Sequence, residues 1–306
     1  MLSKLKKLPF VKNIWSYIRK AKIIRKHKLV SQFWRPIIDS YYSGKLKPID
    51  ITPKKDFGNQ KIIWQYWGQG VQDNSLPEVV KICFNSVDKH NDEFQVIRLD
   101  DTNYSDYIDF PEFVQEKVKS GQFKRTFFSD LLRLALLDTY GGVWLDATIL
   151  QTGPLDSKLL ELPYFMYQRD EKEENKKSWE NSYSYYWGWG ERFKVRVLNS
   201  IIYAKQGNEL INDMYQLMNY YWKTQTEIID YFFFQILYNE LVTGKLASNR
   251  CPIISDIYPH ILQTKFNGVK NLMDFPKALS YTNTHKMSYF DINGMNNLKS
   301  FIEFQD

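Results

Sequence analysis

The chain has 306 residues, 43% of them hydrophobic and 16% aromatic, enough apolar side chain to bury a sizeable core and to exclude disorder for most of its length. Its net charge of +6 hides two unlike parts: residues 1–38 carry 11 Lys and Arg and no acid, whereas the remainder carries 30 bases and 35 acids. The acidic body speaks against a nucleic-acid enzyme, and two cysteines, Cys83 and Cys251, make neither a disulfide framework nor a zinc site and fit a reducing compartment.

In residues 1–30 the apolar positions Leu2, Leu5, Leu8, Val11, Ile14, Trp15, Ile18, Ala21, Ile23 and Ile24 recur at mostly helical spacing among lysines and arginines, with an interruption expected near Pro9. A basic amphipathic helix of this kind is suited to an anionic membrane surface, Trp15 and the aliphatics entering the interface while the bases meet lipid phosphates. The competing readings are a helix packed on the domain and, less favoured, a nucleic-acid arm. No apolar run approaches the roughly 18 residues of a membrane span, and no signal-peptide pattern opens the chain. The expected place is therefore cytoplasmic, peripheral on the inner face of the cell membrane, with residues 1–50 as the associating region and 51–306 as one domain.

Pro48, Pro53 and Gly58 mark a linker. Beyond it KIIWQYW, residues 61–67, reads as a strand ending at Gly68 and Gly70, residues 76–90 as a helix opened by Pro77, and FQVIRL, 94–99, as a second strand. Strand, helix, strand in this span is the unit of a mostly parallel sheet with helices on its faces, an α/β fold. Asp100 and Asp101 then fall at the carboxyl edge, where loops face ligands. Helices are predicted at 111–119 and 124–140, the latter stopped by Gly141-Gly142, with VWLDATIL, 143–150, as a buried central strand. A charged loop (169–177), an aromatic stretch (182–190), helical segments near 207–222 and 226–241 and a mixed C-terminal region complete the chain, without an internal repeat.

The segment Ser129–Leu150 carries the chemistry. Asp130 and Arg133 share a helical face, by themselves no more than an ordinary i,i+3 ion pair. After the Gly-Gly turn, Asp146 falls in the predicted central strand, where a carboxylate needs a partner. A divalent cation held with a diphosphate is one such partner, and hard oxygen ligands suit Mn²⁺ or Mg²⁺.

The run S-D-x-x-R, an apolar helix, Y-G-G, apolar residues and D-x-T resembles the nucleotide-sugar site of DXD-type sugar transferases, closest to glycosyltransferase family 32 and the related capsular polysaccharide synthesis proteins. The likeness covers about residues 60–160 and, more loosely, the C-terminal part. It implies a GT-A, Rossmann-like, nucleotide-sugar-binding domain preceded by the basic helical segment. It also implies that Asp130 and Arg133 hold the donor sugar while Asp146 approaches ribose and metal. Thr148 stands where the family has its second, metal-binding acid, and a hydroxyl brings no charge. His285 is a candidate third ligand, with a surface histidine as the alternative, and Lys286 a candidate for phosphate charge.

The opening strand resembles the family's base-binding strand, which makes Gln65, Tyr66 and Trp67 candidates for uracil or guanine. Strand alternation opposes Gln65 and Trp67 to Trp64 and Tyr66, so one pair alone lines a pocket, and core packing is the rival for each. For the acceptor, Trp187 and Trp189 are suited to stacking on sugar faces, Asn199 to a donor-sugar hydroxyl and Asp230 to an acceptor group, with core packing and a helix-end carboxylate as the plain alternatives. The implied activity is retaining transfer of a hexose, from UDP-hexose above other nucleotide sugars, to a saccharide or lipid-linked oligosaccharide in capsule or exopolysaccharide synthesis. No catalytic base is identifiable. The alternative function is a noncatalytic sugar-nucleotide-binding or scaffold protein of a capsule-assembly complex.

Overall fold

The computed structural model describes residues 9–305 other than 73, 75, 270–272, 289 and 291. The expectations for Leu2, Leu5, Leu8, Lys4, Lys6 and Lys7 lie outside the described residues. The chain forms two compact units, one from 1–47, 169–197 and 225–250, the other from 48–168, 198–224 and 251–306.

In the first unit, helix α1 (Pro9–Tyr42) runs for 34 residues with Pro36 inside it. The described part of the helix begins at Pro9, so the interruption expected there falls at the edge of the described residues. Ile23, His27, Val30, Ser31, Trp34 and Ile38 form its buried stripe, the spacing of one helical face. Trp34 stacks at 6.1 Å on Phe233 of the helix Phe233–Val242 and donates its indole N–H to the Phe233 carbonyl at 3.2 Å. The predicted helix at 226–241 therefore starts later. Asp230 turns the chain first, its Oδ1 accepting the Phe232 N–H at 3.0 Å.

The second unit holds an α/β core. Strand β1 (Ile62–Tyr66) is buried along its whole length, which is why it reads as an apolar run and not as an alternation. Helix α2 (Glu78–His90) crosses over to β2 (Gln95–Leu99), which pairs parallel to β1 from Ile62↔Gln95 to Tyr66↔Leu99. Helix α3 (Arg125–Tyr140) returns to β3 (Gly142–Leu145), again parallel to β1. The turn needs its glycines: Gly142 has φ +102°, and a Cβ there would stand 2.5 Å from the Ile62 carbonyl oxygen.

Here the structure corrects the sequence reading. VWLDATIL is not one strand: β3 ends at Leu145, residues 146–148 turn, and β4 (Ile149–Gln151) lies in another sheet. Asp146 thus sits at the end of a central strand, not within it. The main sheet continues through β5 (Tyr164–Gln168) and β6 (Val197–Ala204) in the order β2-β1-β3-β6-β5, with β6 antiparallel to β3. It is therefore mixed, where a mostly parallel sheet was expected. Helix α4 (Glu209–Thr224) covers α3, and β7 (Thr284–Lys286) pairs antiparallel with β4.

Candidate functional site

The residues that converge do so at the end of β3. Trp144 and Asp146 are two apart and share a side of the chain, and the Trp144 indole N–H donates to Asp146 Oδ1 at 2.8 Å. From α3, the Arg133 guanidinium lies 5.0 Å over the Trp144 ring and reaches Asp146 Oδ1 at 3.4 Å and Asp130 Oδ1 at 3.3 Å. It is held there by the Ser129 carbonyl at 3.1 Å and hydroxyl at 2.9 Å, and by the Asn199 carbonyl. Asn199, on β6, donates its amide to Asp130 Oδ1 at 2.9 Å. On the far side of Asp146, Lys286 Nζ donates to Oδ2 at 2.7 Å.

The ladder explains why it is Lys286 that arrives. Register pairs Ile149 with Lys286 and Leu150 with His285, so the two basic residues point to opposite sides. Lys286 takes the side of Asp146. His285 is fully buried on the other, its Nε2 bonded to the Thr152 hydroxyl at 3.0 Å, and burial lowers its pKa to about 3. It is not brought to the carboxylates, contrary to its expected place as a metal ligand. Thr148 is near, its hydroxyl 3.2 Å from that of Ser288.

Exposure grades the network. The side chains of Arg133 and Asp130 are 4% and 7% exposed, those of Lys286 and Asp146 15% and 23%. Asp146 and Lys286 form the open end, and Asp130 and Arg133 support it from within. Two carboxylates so close are driven apart in acidity. Desolvation raises Asp130 to about 6 against the pull of Arg133, with Asp146 adding to the rise. Burial also acts to raise Asp146, but Lys286 and Arg133, with the bonds from Lys286 and Trp144, bring it down to about 2.

The side chains here do not by themselves complete a site for a divalent cation. Among the described residues no three His, Cys, Asp or Glu side chains gather as a metal site. The single carboxylate at the open end already has donors on both oxygens, and Thr148 adds only a neutral hydroxyl.

The base-strand candidates separate. Trp64 is fully buried among Phe57, Tyr107 and Tyr140, its indole N–H on the Gly141 carbonyl at 2.9 Å. Gln65 is fully buried and accepts from Arg98 Nε at 3.1 Å. Trp67 packs against Val80, Phe84 and Ala147. Tyr66 borders a cavity of about 280 Å³ with Asp101, Lys124, Arg125 and Phe128. Its hydroxyl bonds Asp101, which Arg125 Nε also meets at 2.6 Å. The sequence reading missed Arg125 and Trp144. The alternation W-x-D was the available signal for Trp144; none pointed to Arg125.

The remaining candidates belong to the first unit and are accounted for there. Trp187 and Trp189 are buried, not presented for stacking on a sugar. With Tyr186 they enclose the buried Arg169 guanidinium at 4.6, 4.9 and 5.2 Å, a cation held by ring faces. Arg169 donates to the Gly188 carbonyl at 2.8 Å and the Tyr186 carbonyl at 3.0 Å. Asp230 lies 3.4 Å from Lys26.

A profile described as "Capsular polysaccharide synthesis protein" matches residues 13–304. The chain belongs to this family. The match takes in both units and every residue of the Asp130–Lys286 network. A stretch of 97 residues is 34% identical to the O-glycosyltransferase braB of Annulohypoxylon truncatum, covering 29% of this chain and 23% of that protein. Among solved structures, the PaToxG glycosyltransferase aligns over 76% of this chain and 86% of its own at 16% identity and a TM-score of 0.35. No helix among the described residues is long and apolar enough to cross a membrane.

Proposed function

We propose that this member of the capsular polysaccharide synthesis family is a glycosyltransferase that moves a hexose from a nucleoside-diphosphate sugar, UDP-hexose before others, to a saccharide hydroxyl. The observation that carries the reading is the convergence of Asp130, Arg133, Asp146, Asn199 and Lys286 at one strand end. The resemblance of their motif to DXD-type transferases supports it, as does the name of the partial relative.

The donor's C1–O bond breaks with its electron pair left on the departing diphosphate. The acceptor oxygen bonds C1, and its proton passes to that diphosphate. What the protein supplies is complementarity to charge as it develops. Asp146 and Lys286, at the open end, meet the donor. Asp130 and Arg133 fix Asp146 and Asn199 in place. The resemblance implies retention, hence an α-linked product, and no separate base is required by the scheme.

The acceptor is proposed to be lipid-linked, with α1 lying on an anionic bilayer. Trp15, Tyr17 and Ile18 are 52%, 77% and 38% exposed, and Arg19, Lys20, Lys22, Arg25, Lys26 and Lys28 are exposed on the same helix. Apolar insertion plus several bases near anionic lipid, about 1 kcal/mol per base, is an adequate anchor.

The test is a screen of UDP-glucose, UDP-galactose, their N-acetyl forms and GDP-mannose, read by nucleotide release in the presence of saccharide acceptors. Turnover by wild type that is lost in Asp146→Ala supports the reading. Equal turnover in the two overturns the role of Asp146, and nucleotide binding without turnover supports a noncatalytic scaffold instead.

A further inference from the structure

The incomplete donor set for a divalent cation has a counterpart in Lys286. A hard cation at this strand end would need the Asp146 carboxylate and several further oxygens. Asp146 Oδ2 is taken by an ammonium at 2.7 Å, and Oδ1 by an indole N–H at 2.8 Å with a guanidinium at 3.4 Å. A +2 ion on Oδ2 would displace Lys286 and stand beside two fixed positive charges. Asp130, Asp146, Arg133 and Lys286 together balance without it.

Resting on the glycosyltransferase reading, we propose that Lys286, anchored by Asp146, occupies the place of the divalent cation and binds the donor diphosphate directly, so that donor binding is independent of metal. An ammonium carries three donors. The Asp146 contact uses one, and the 15% exposed side chain leaves the others for phosphate oxygens.

The ammonium is also rigidly placed, as electrostatic stabilisation requires. Lys286 ends β7 in register with Ile149, and the next residue, Met287, donates its N–H to the Thr148 carbonyl at 2.8 Å. The backbone carbonyl of Thr148 thus holds the strand that carries the charge. As the C1–O bond breaks and the pair moves to the diphosphate, Lys286 meets the added charge without coordinating it.

Calorimetric titration of the full chain with UDP and GDP, in EDTA and in MnCl₂, tests this. At least one nucleotide is expected to bind in EDTA within threefold of its affinity in MnCl₂. Lys286→Ala, titrated well below its unfolding midpoint, should weaken that binding at least tenfold, and Lys286→Arg, which keeps the charge on Asp146, should recover most of it. Wild-type binding that falls more than tenfold in EDTA overturns the inference and leaves the transferase reading standing. So does Lys286→Ala binding as well as wild type in EDTA. No binding of either nucleotide in any buffer overturns both.

Discussion

Arg133→Ala is the most informative single perturbation of the network. The guanidinium is 4% exposed and joins two carboxylates, two groups of Ser129, the Asn199 carbonyl and the Trp144 ring. Removing one partner of a buried ion pair costs roughly 3–5 kcal/mol, and the ring contact adds about 1 kcal/mol. Two features limit the total. Asp146 keeps Lys286, and Asp130, already raised to about 6, escapes as a protonated acid. We expect a loss of about 4 kcal/mol near pH 8, by urea unfolding.

The sign of its pH dependence follows. Arg133 lowers the Asp130 pKa, so its removal raises it further above the unfolded value. The variant then holds a proton in the folded state that the unfolded chain has released. Its deficit relative to wild type shrinks as pH falls from 8 toward about 6, where the wild type takes up the same proton, by up to about 1.4 kcal/mol per pH unit for one proton. Arg133→Lys, charged but without the fork, should fall between, near 2 kcal/mol. A loss under about 1 kcal/mol for Arg133→Ala, or one that does not change between pH 8 and pH 5, refutes the reasoning.

Further expectations test other parts. Gly142→Ala, with φ +102° and a Cβ 2.5 Å from the Ile62 oxygen, should cost about 3 kcal/mol or more in urea unfolding; a neutral variant would contradict the turn. His27 and His285 are lowered to about 4 and 3 by burial, so each contributes stability that is complete above pH 6.5 and is lost as pH falls toward the folded value. His27→Gln with His285→Gln should flatten the decline of unfolding free energy between pH 7 and pH 5, and an unchanged slope argues against buried neutral rings. Trp189→Ala uncovers Arg169 and should cost about 3–5 kcal/mol, whereas a surface sugar platform would lose acceptor affinity at constant stability. Deleting residues 1–22 should abolish flotation with anionic vesicles and leave neutral ones unaffected; flotation that persists removes α1 as the anchor.

What could be read in the sequence was what local pattern dictates. The apolar run of β1, the strand-helix-strand unit and the Gly-Gly turn after α3 all follow from periodicity and backbone sterics, and the motif spacing was enough to gather Asp130, Arg133 and Asp146. The break of VWLDATIL was hidden because no Gly or Pro marks it: residues 146–148 turn because the chain leaves one sheet for another, a decision made by tertiary pairing. His285 and Lys286 were both expected at the site; it is the β4/β7 register, joining residues about 140 apart, that sends them to opposite sides and brings Lys286 to Asp146. The aromatic stretch 182–190 reads as a sugar platform until Arg169 is seen inside it. Trp187 and Trp189 are spent on burying that charge. Likewise Gln65 belongs to the core and Trp67 is partly buried against Val80, Phe84 and Ala147, whereas Tyr66 borders the cavity.

Nucleotide release from the panel of nucleotide sugars with saccharide acceptors, comparing wild type with Asp146→Ala and Lys286→Ala, tests directly whether this strand end performs the transfer. Turnover of at least one donor by wild type is expected, with a loss of about 100-fold or more in both variants, the scale of removing a group that meets charge developing in the transition state. Turnover in either variant equal to wild type would contradict it.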